Sequence, residues 1–225
     1  MDFLRQSSLV SQERISQSHV AIIGCGALGS ATAMALAKMG VGCFTLFDSD
    51  IVTEINLPNQ MYRIRDLNKY KVQALSEIIR EYSDNGVGDD AFIITHGENY
   101  TNKPLAPIII ITTDSMSSRQ LVWEQYLKQN QAKIYIEARM GAEEGQVYTI
   151  TEKSQFNIQF YQERLYPDSE AKEAPCTAKA IIYNVFMIAS LICRAYKAII
   201  QEEVFPREVV FGLAQIHKYS FQIRV

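Results

Sequence analysis

A glycine cluster, two carboxylates at the ends of apolar runs, a lysine opening a helical stretch and a cysteine just ahead of another helix are the residues of this chain best placed to do chemistry. The glycines lie in Gly24-Cys25-Gly26-Ala27-Leu28-Gly29, between the apolar run 20–23 and a helical pattern over 30–38. In a G-x-G-x-x-G turn the first glycine permits the tight bend, the second lets a phosphate approach the backbone, and the third lets helix pack on strand. A second apolar run, Cys43–Phe47, ends in Asp48, 19 residues beyond Gly29, close to the ~20 at which a carboxylate meets a ribose hydroxyl. Framed by two strands and with an acid in register, the glycines predict an adenine-nucleotide site, against the alternative of a purely structural turn. They do not choose between a dinucleotide and ATP.

The elements that must position these groups follow from periodicity. Lys71 opens a helix with apolar Val72, Leu75, Ile78, Ile79 and Tyr82 on one face; the alternative for Lys71 is a surface lysine. Residues 108–111 are four consecutive isoleucines, the pattern of a strand buried on both faces of a parallel sheet. Asp114 follows at its carboxyl end, where ligands bind in open α/β sheets, and also suits the N-cap of a helix over 115–129. Further strands are expected over 91–95, 133–138 and 146–150, a loop over 53–66, turn chemistry over 83–90, and a buried helix over 178–200. Residues 151–174 are polar with scattered aromatics (Phe156, Phe160, Tyr161, Tyr166) and are expected to form a crossover loop or binding surface. Two alternating runs in 208–225 predict closing strands. The order βαβ-αβ-αβ points to a Rossmann-like, doubly wound, mainly parallel α/β sheet. One domain of 225 residues is expected, its nucleotide-binding part over 18–150.

Composition narrows the function. The net charge of −3, with no basic run, offers no field for nucleic acid or an anionic membrane. The longest apolar stretch, 180–193, falls short of the ~18 residues of a membrane span and reads as a buried helix. The first residues lack the regions of a signal peptide. Cys25, Cys43, Cys176 and Cys193 form no C-x-x-C pair, which disfavours both a disulfide framework and zinc and points to a reducing cytoplasm. Cys176, ahead of the 178–200 helix, sits where exposed amide groups favour a thiolate; the alternative is a packed loop residue. His19, His96 and His217 are isolated, so a Ser-His-Asp arrangement has no support.

Beyond the glycines, Asp48-Ser49-Asp50, Asn56-Leu57-Pro58-Asn59-Gln60, Lys69-Tyr70-Lys71-Val72 and Thr113-Asp114-Ser115 with Arg119 are together specific. The chain resembles the ThiF/MoeB/E1-like family, which adenylates the C-terminal carboxylate of ubiquitin-like and sulfur-carrier proteins. The resemblance implies ATP and Mg²⁺ as cofactors and antiparallel strands at the C-terminal side of the sheet. It implies nucleotide contacts at Gly24, Gly26, Ala27, Leu28 and Gly29, and at Asp48 and Asp50 of the D-x-D, where the first acid binds ribose. Asn56, Asn59, Gln60 and Lys71 would lie over the triphosphate, and Asp114, between Thr113 and Ser115, would hold Mg²⁺. Arg5 would reach the triphosphate of the partner subunit in a homodimer, the alternative being a solvated arginine. Cys176 resembles a cysteine that in some members takes the activated acyl group.

The departures are also specific. Asn59 stands where the family has an arginine, so a forked, charge-assisted phosphate contact is missing; Arg63 or Arg65 would have to supply it. The spacing from Arg5 to the glycines is short, and the paired zinc cysteines of many members are absent. Two other readings follow: an inactive partner subunit that binds a carrier or a true activating enzyme, and a NAD-dependent oxidoreductase. A branch acting on a small or RNA-borne acyl group is a further alternative.

Overall fold

A computed structural model of the chain describes residues 2–83, 91–170, 180–213 and 222–224. Eight strands form one sheet: β1 (His19–Ile23), β2 (Cys43–Phe47), β3 (Phe92–His96), β4 (Ile108–Ile111), β5 (Ile134–Gly141), β6 (Glu144–Ile150), β7 (Glu208–Gly212) and β8 (Gln222–Arg224). Their spatial order is β3-β2-β1-β4-β5-β6-β7-β8. The first five run parallel, and β6, β7 and β8 join by antiparallel pairing. The doubly wound sheet and its antiparallel extension are both as expected. The chain passes from one wing to the other between β1 and β4, which opens a crevice at the strand ends.

The isoleucine run shows how sequence makes the layers. Ile108 and Ile110 belong to a core with α2 (Ala27–Met39), α3 (Lys71–Ser83) and α6 (Ile182–Ile200), whereas Ile109 and Ile111 face α4 (Met116–Lys128) and α5 (Gln155–Gln162). Side chains alternate faces along a strand, so a strand covered on both sides must be apolar throughout. A short helix α1 (Gln12–Ser16) precedes β1. By length and composition α6 would also suffice to cross a membrane, but it buries Val185, Ile188, Ile192 and Tyr196.

Several boundaries differ from expectation. Residues 53–66 hold two single 3-10 turns, Glu54–Asn56 and Ile64–Asp66, rather than plain loop. The polar stretch 151–174 contains α5, started by Ser154, whose side chain accepts from Asn157 N–H; Tyr161 is buried among Trp123, Tyr135 and Tyr148. Ser115, not Asp114, caps α4, its hydroxyl accepting from Ser118 N–H. The last long helix starts at Ile182, because Ala180 bridges to Ala142 in extended conformation. Cys43, the first residue of β2, is only half-buried. Of the turn expected over 83–90, Ser83 ends α3 and residues 84–90 lie outside the described residues.

Candidate functional site

The glycine turn joins β1 to α2, and each glycine meets a different constraint. Gly24 has φ +91°, and a Cβ there would lie 3.0 Å from the backbone of Thr112 and Thr113. A Cβ on Gly29 would lie 1.9 Å from Gly24 O, so helix and strand touch through it. A Cβ on Gly26 would meet nothing within 4 Å. That space, at the amino end of α2 with its unpaired amides, suits an anion. Ala27 opens the helix and Leu28 is buried in the core, so both face the turn through backbone.

Asp48 leaves β2 beside this turn. Its Oδ2 accepts Cys25 N–H at 2.6 Å and its Oδ1 accepts Asp50 N–H at 2.8 Å. Burial pushes its carboxyl above the usual range, against the opposing pull of these two bonds and of Lys71. Asp50 meets Lys71 twice: Lys71 N–H donates to Asp50 O at 2.9 Å, and Lys71 Nζ lies 2.7 Å from Asp50 Oδ2. Val52 N–H to Lys69 O and Asn68 N–H to Val52 O continue this small ladder, which delivers the lysine to the crevice. Tyr62, buried, donates its hydroxyl to Cys25 O at 2.6 Å and lies 3.4 Å from Lys71 O, tying glycine turn to α3.

The segment from Asn56 folds over the same opening. Asn56 Oδ1 accepts from Thr53 N–H and Thr53 Oγ1, and Met61 N–H donates to Ser30 Oγ in the first turn of α2. Asn59 Oδ1, Gln60 Oε1 and Thr113 Oγ1 are buried without any hydrogen-bond partner. Buried polar atoms are rarely left so. Their presence on the two segments that flank the glycine turn fits a missing polar ligand there.

Arg63 and Arg65 do not point at this opening. Arg63 pairs with Asp66 at 2.8 Å and with Glu81, and Arg65 pairs with Glu81. The expected substitute for the family's arginine is therefore committed elsewhere, because the carboxylates of Asp66, Glu77 and Glu81 hold the two guanidinium groups.

Asp114 is exposed in the turn after β4, and its carboxylate has no partner among the described residues. An unengaged carboxylate at the carboxyl end of a parallel strand is a hard-oxygen donor that suits Mg²⁺. Arg119 fixes the turn's backbone, donating to Thr113 O and, at 3.2 Å, to Asp114 O. Arg119 Nε lies 2.8 Å from Glu137, which is wholly buried and also held by Arg139 at 2.6 Å and by the Tyr161 hydroxyl.

Arg5 is exposed in a one-turn helix, and Gln6 beside it donates to Met39 O at the far end of α2. Thirteen helical residues separate that end from the glycine turn, about 20 Å, so Arg5 does not reach its own chain's site. Cys176 and His217 lie outside the described residues. Tyr62 and Glu137 belong to the site's framework without a sequence signal, since each acts through a partner distant in the chain.

Comparison with known proteins bears on the family and the fold. A probable molybdopterin-synthase adenylyltransferase from Porphyra purpurea is 31% identical over 150 residues, 65% of this chain and 38% of that protein. The adenylyltransferase and sulfurtransferase MOCS3 of Oryza sativa subsp. japonica is 39% identical over 80 residues, 35% of this chain and 18% of that protein. The chain thus spans well under half the length of these curated relatives. Among solved structures, E. coli MccB with ATP superposes with TM-score 0.73 at 18% identity, covering 95% of this chain and 65% of that one. PaaA gives 0.72 at 21%, covering 98% and 68%. These likenesses establish the shared fold. Residues 3–225 match the ThiF family, and the chain belongs to that family.

Proposed function

We propose that the chain is an ATP-dependent adenylyltransferase acting on the C-terminal carboxylate of a ubiquitin-like or sulfur-carrier protein. The observation that carries this reading is that Asn59, Gln60 and Thr113, on the segments beside the glycine turn, each bury an unpartnered oxygen, while a Cβ on Gly26 would meet open space and Asp48 and the Lys71–Asp50 pair lie next to the turn. A nucleotide polyphosphate and its ribose match those groups. In the reaction a carboxylate oxygen of the carrier attacks the α-phosphorus. The bond from that phosphorus to the bridging oxygen breaks, and acyl-adenylate and pyrophosphate result. The protein's share is position and charge. Asp48 holds ribose, Lys71 and Asn56 meet phosphate oxygens, and Asp114 holds Mg²⁺, which when bound neutralises triphosphate charge.

The same reading places Arg5 in the site of a second copy, since its own site is out of reach, and makes the functional unit a homodimer of single adenylation domains. Cys176 would receive the acyl group where transfer follows. The free thiols of Cys25, Cys43 and Cys193 support a reducing, cytoplasmic setting, and the small negative charge supports a protein partner rather than nucleic acid or membrane.

A second reading has its own observation. Asn59 lacks the family's cation and Arg63 and Arg65 are bound to carboxylates, which favours a partner subunit that binds without adenylating. Calorimetry with Mg·ATP and with NADH tests both. ATP binding lost in Lys71→Ala and Asp114→Ala supports the adenylation site, and carrier-dependent pyrophosphate exchange then separates active enzyme from silent partner. Binding of NADH alone would turn the reading to an oxidoreductase.

A further inference from the structure

The turn that carries Asp114 is gripped from two sides. From within the sheet, Arg119 holds the carbonyls of Thr113 and Asp114 and is itself anchored on buried Glu137. From outside, Asp168 closes on the next residues: its Oδ1 accepts Met116 N–H at 2.5 Å and its Oδ2 accepts Ser117 N–H at 3.3 Å. These are the first amides of α4, which has no intrahelical acceptor for them. Ser115 supplies the side-chain cap to Ser118 N–H, so helix capping is already met one amide further on. Asp168 comes from a 3-10 turn, Asp168–Glu170, 54 residues after Asp114 in the chain. The stretch leading to it is fixed in turn: Arg139 Nη1 donates to Arg164 O at 2.9 Å, and Arg139 is bound to the same Glu137 that anchors Arg119. Glu137 therefore stands behind both grips.

We propose that Asp168 is a positioning residue for Asp114. By binding the amides of Met116 and Ser117 it holds the start of α4, and with it the turn that carries the Asp114 carboxylate, in one conformation. Its role is exerted through Asp114. This rests on the adenylation reading, since only a metal-holding Asp114 needs such positioning. A cap acts on stability alone, whereas a positioning residue acts on how strongly Mg²⁺ assists ATP binding.

The test is calorimetric titration of ATP into the full chain across a series of Mg²⁺ concentrations, with thermal melting alongside. Three proteins are compared: wild type, Asp168→Ala and Ser154→Ala, the last removing the cap at the start of α5, at the other end of that helix from Tyr161. In Asp168→Ala the Mg²⁺ needed for half-maximal ATP affinity rises about fivefold, the effect of losing a charge-assisted pair at a helix start. Ser154→Ala lowers the melting temperature and leaves the Mg²⁺ requirement at the wild-type value. An unchanged Mg²⁺ requirement in Asp168→Ala, with wild type responding normally, overturns the inference and leaves the adenylation site standing. If wild-type ATP binding shows no Mg²⁺ dependence, both fall together. Because Asp168 is exposed and α4 keeps its serine cap, the alanine variant retains the fold.

Discussion

Lys71 Nζ lies 2.7 Å from Asp50 Oδ2, and the two side chains differ sharply in exposure, 7% for the lysine and 64% for the aspartate. The ammonium has left water while its counter-ion has not. A buried ammonium needs a partner, and Asp50, at the mouth of the crevice, serves until a phosphate arrives. Asp50→Asn should therefore lower the melting temperature of the free protein by a few degrees and enlarge the stabilisation given by Mg·ATP, because phosphate then supplies the missing charge. Lys71→Ala should weaken ATP by about tenfold or more, a charge-assisted contact being worth ~1.5–3 kcal/mol. Differential scanning fluorimetry with and without Mg·ATP reads both, and an Asp50→Asn protein with no larger ATP shift would contradict the exchange.

The three glycines separate stability from binding. Gly26→Ala meets nothing within 4 Å and adopts an ordinary φ of −74°, so its melting temperature should stay within about 2 °C of wild type, as for a surface change. ATP affinity should drop, because the methyl occupies the phosphate's approach. Gly29→Ala places a methyl 1.9 Å from Gly24 O and should lose stability first, by roughly 1–3 kcal/mol of overpacking. Urea unfolding alongside ATP titration distinguishes them. Equal destabilisation of the two variants would refute the division.

Much of this was legible in sequence because it is local. The glycine turn, the helix of Lys71 and the isoleucine strand each announce themselves through spacing within about a dozen residues. Helix α5 was not. Its buried side chains Asn157 and Tyr161 are polar or amphipathic, so the stretch reads as loop until Trp123 and Tyr135 arrive from other elements to cover Tyr161. Glu137 is harder still, since an acid within an apolar strand gives no hint that Arg119, Arg139 and Tyr161 converge on it. The fate of Arg63 and Arg65 depended on Glu81 of α3, 18 and 16 residues further along the chain. Long-range pairing of charge decides these cases, and it leaves no periodic trace.

Acidification should weaken ATP earlier than an ordinary aspartate would suggest. Asp48 must be ionised to accept ribose hydroxyls, and burial raises its carboxyl above the ordinary 3.8. Affinity is then full at neutral pH and declines as pH falls through that raised value. The same shift means that ionising Asp48 opposes folding, a cost absent below the ordinary value and complete above the raised one. Calorimetry over the acidic range in which the protein remains folded should show the decline in wild type and a weak, flat response in Asp48→Asn. Parallel pH profiles for the two proteins would exclude Asp48 as the group responsible.

Glu137 offers the sharpest test of the framework. It has no solvent exposure, and its carboxylate is shared by Arg119, Arg139 and the Tyr161 hydroxyl. Removing one partner from a buried charge network typically costs roughly 3–5 kcal/mol, because the remaining charges are left uncompensated. Glu137→Gln keeps the shape and removes the charge, so it should unfold at markedly lower urea. If uncompensated guanidinium is the cause, Arg139→Met added to Glu137→Gln should recover part of the loss, although Arg139→Met alone is destabilising. That non-additive pair, measured as a double-mutant cycle, would show that charge rather than packing holds the centre of the sheet. Strict additivity would show that the contacts around Glu137 act independently and that Arg119 takes its position from elsewhere.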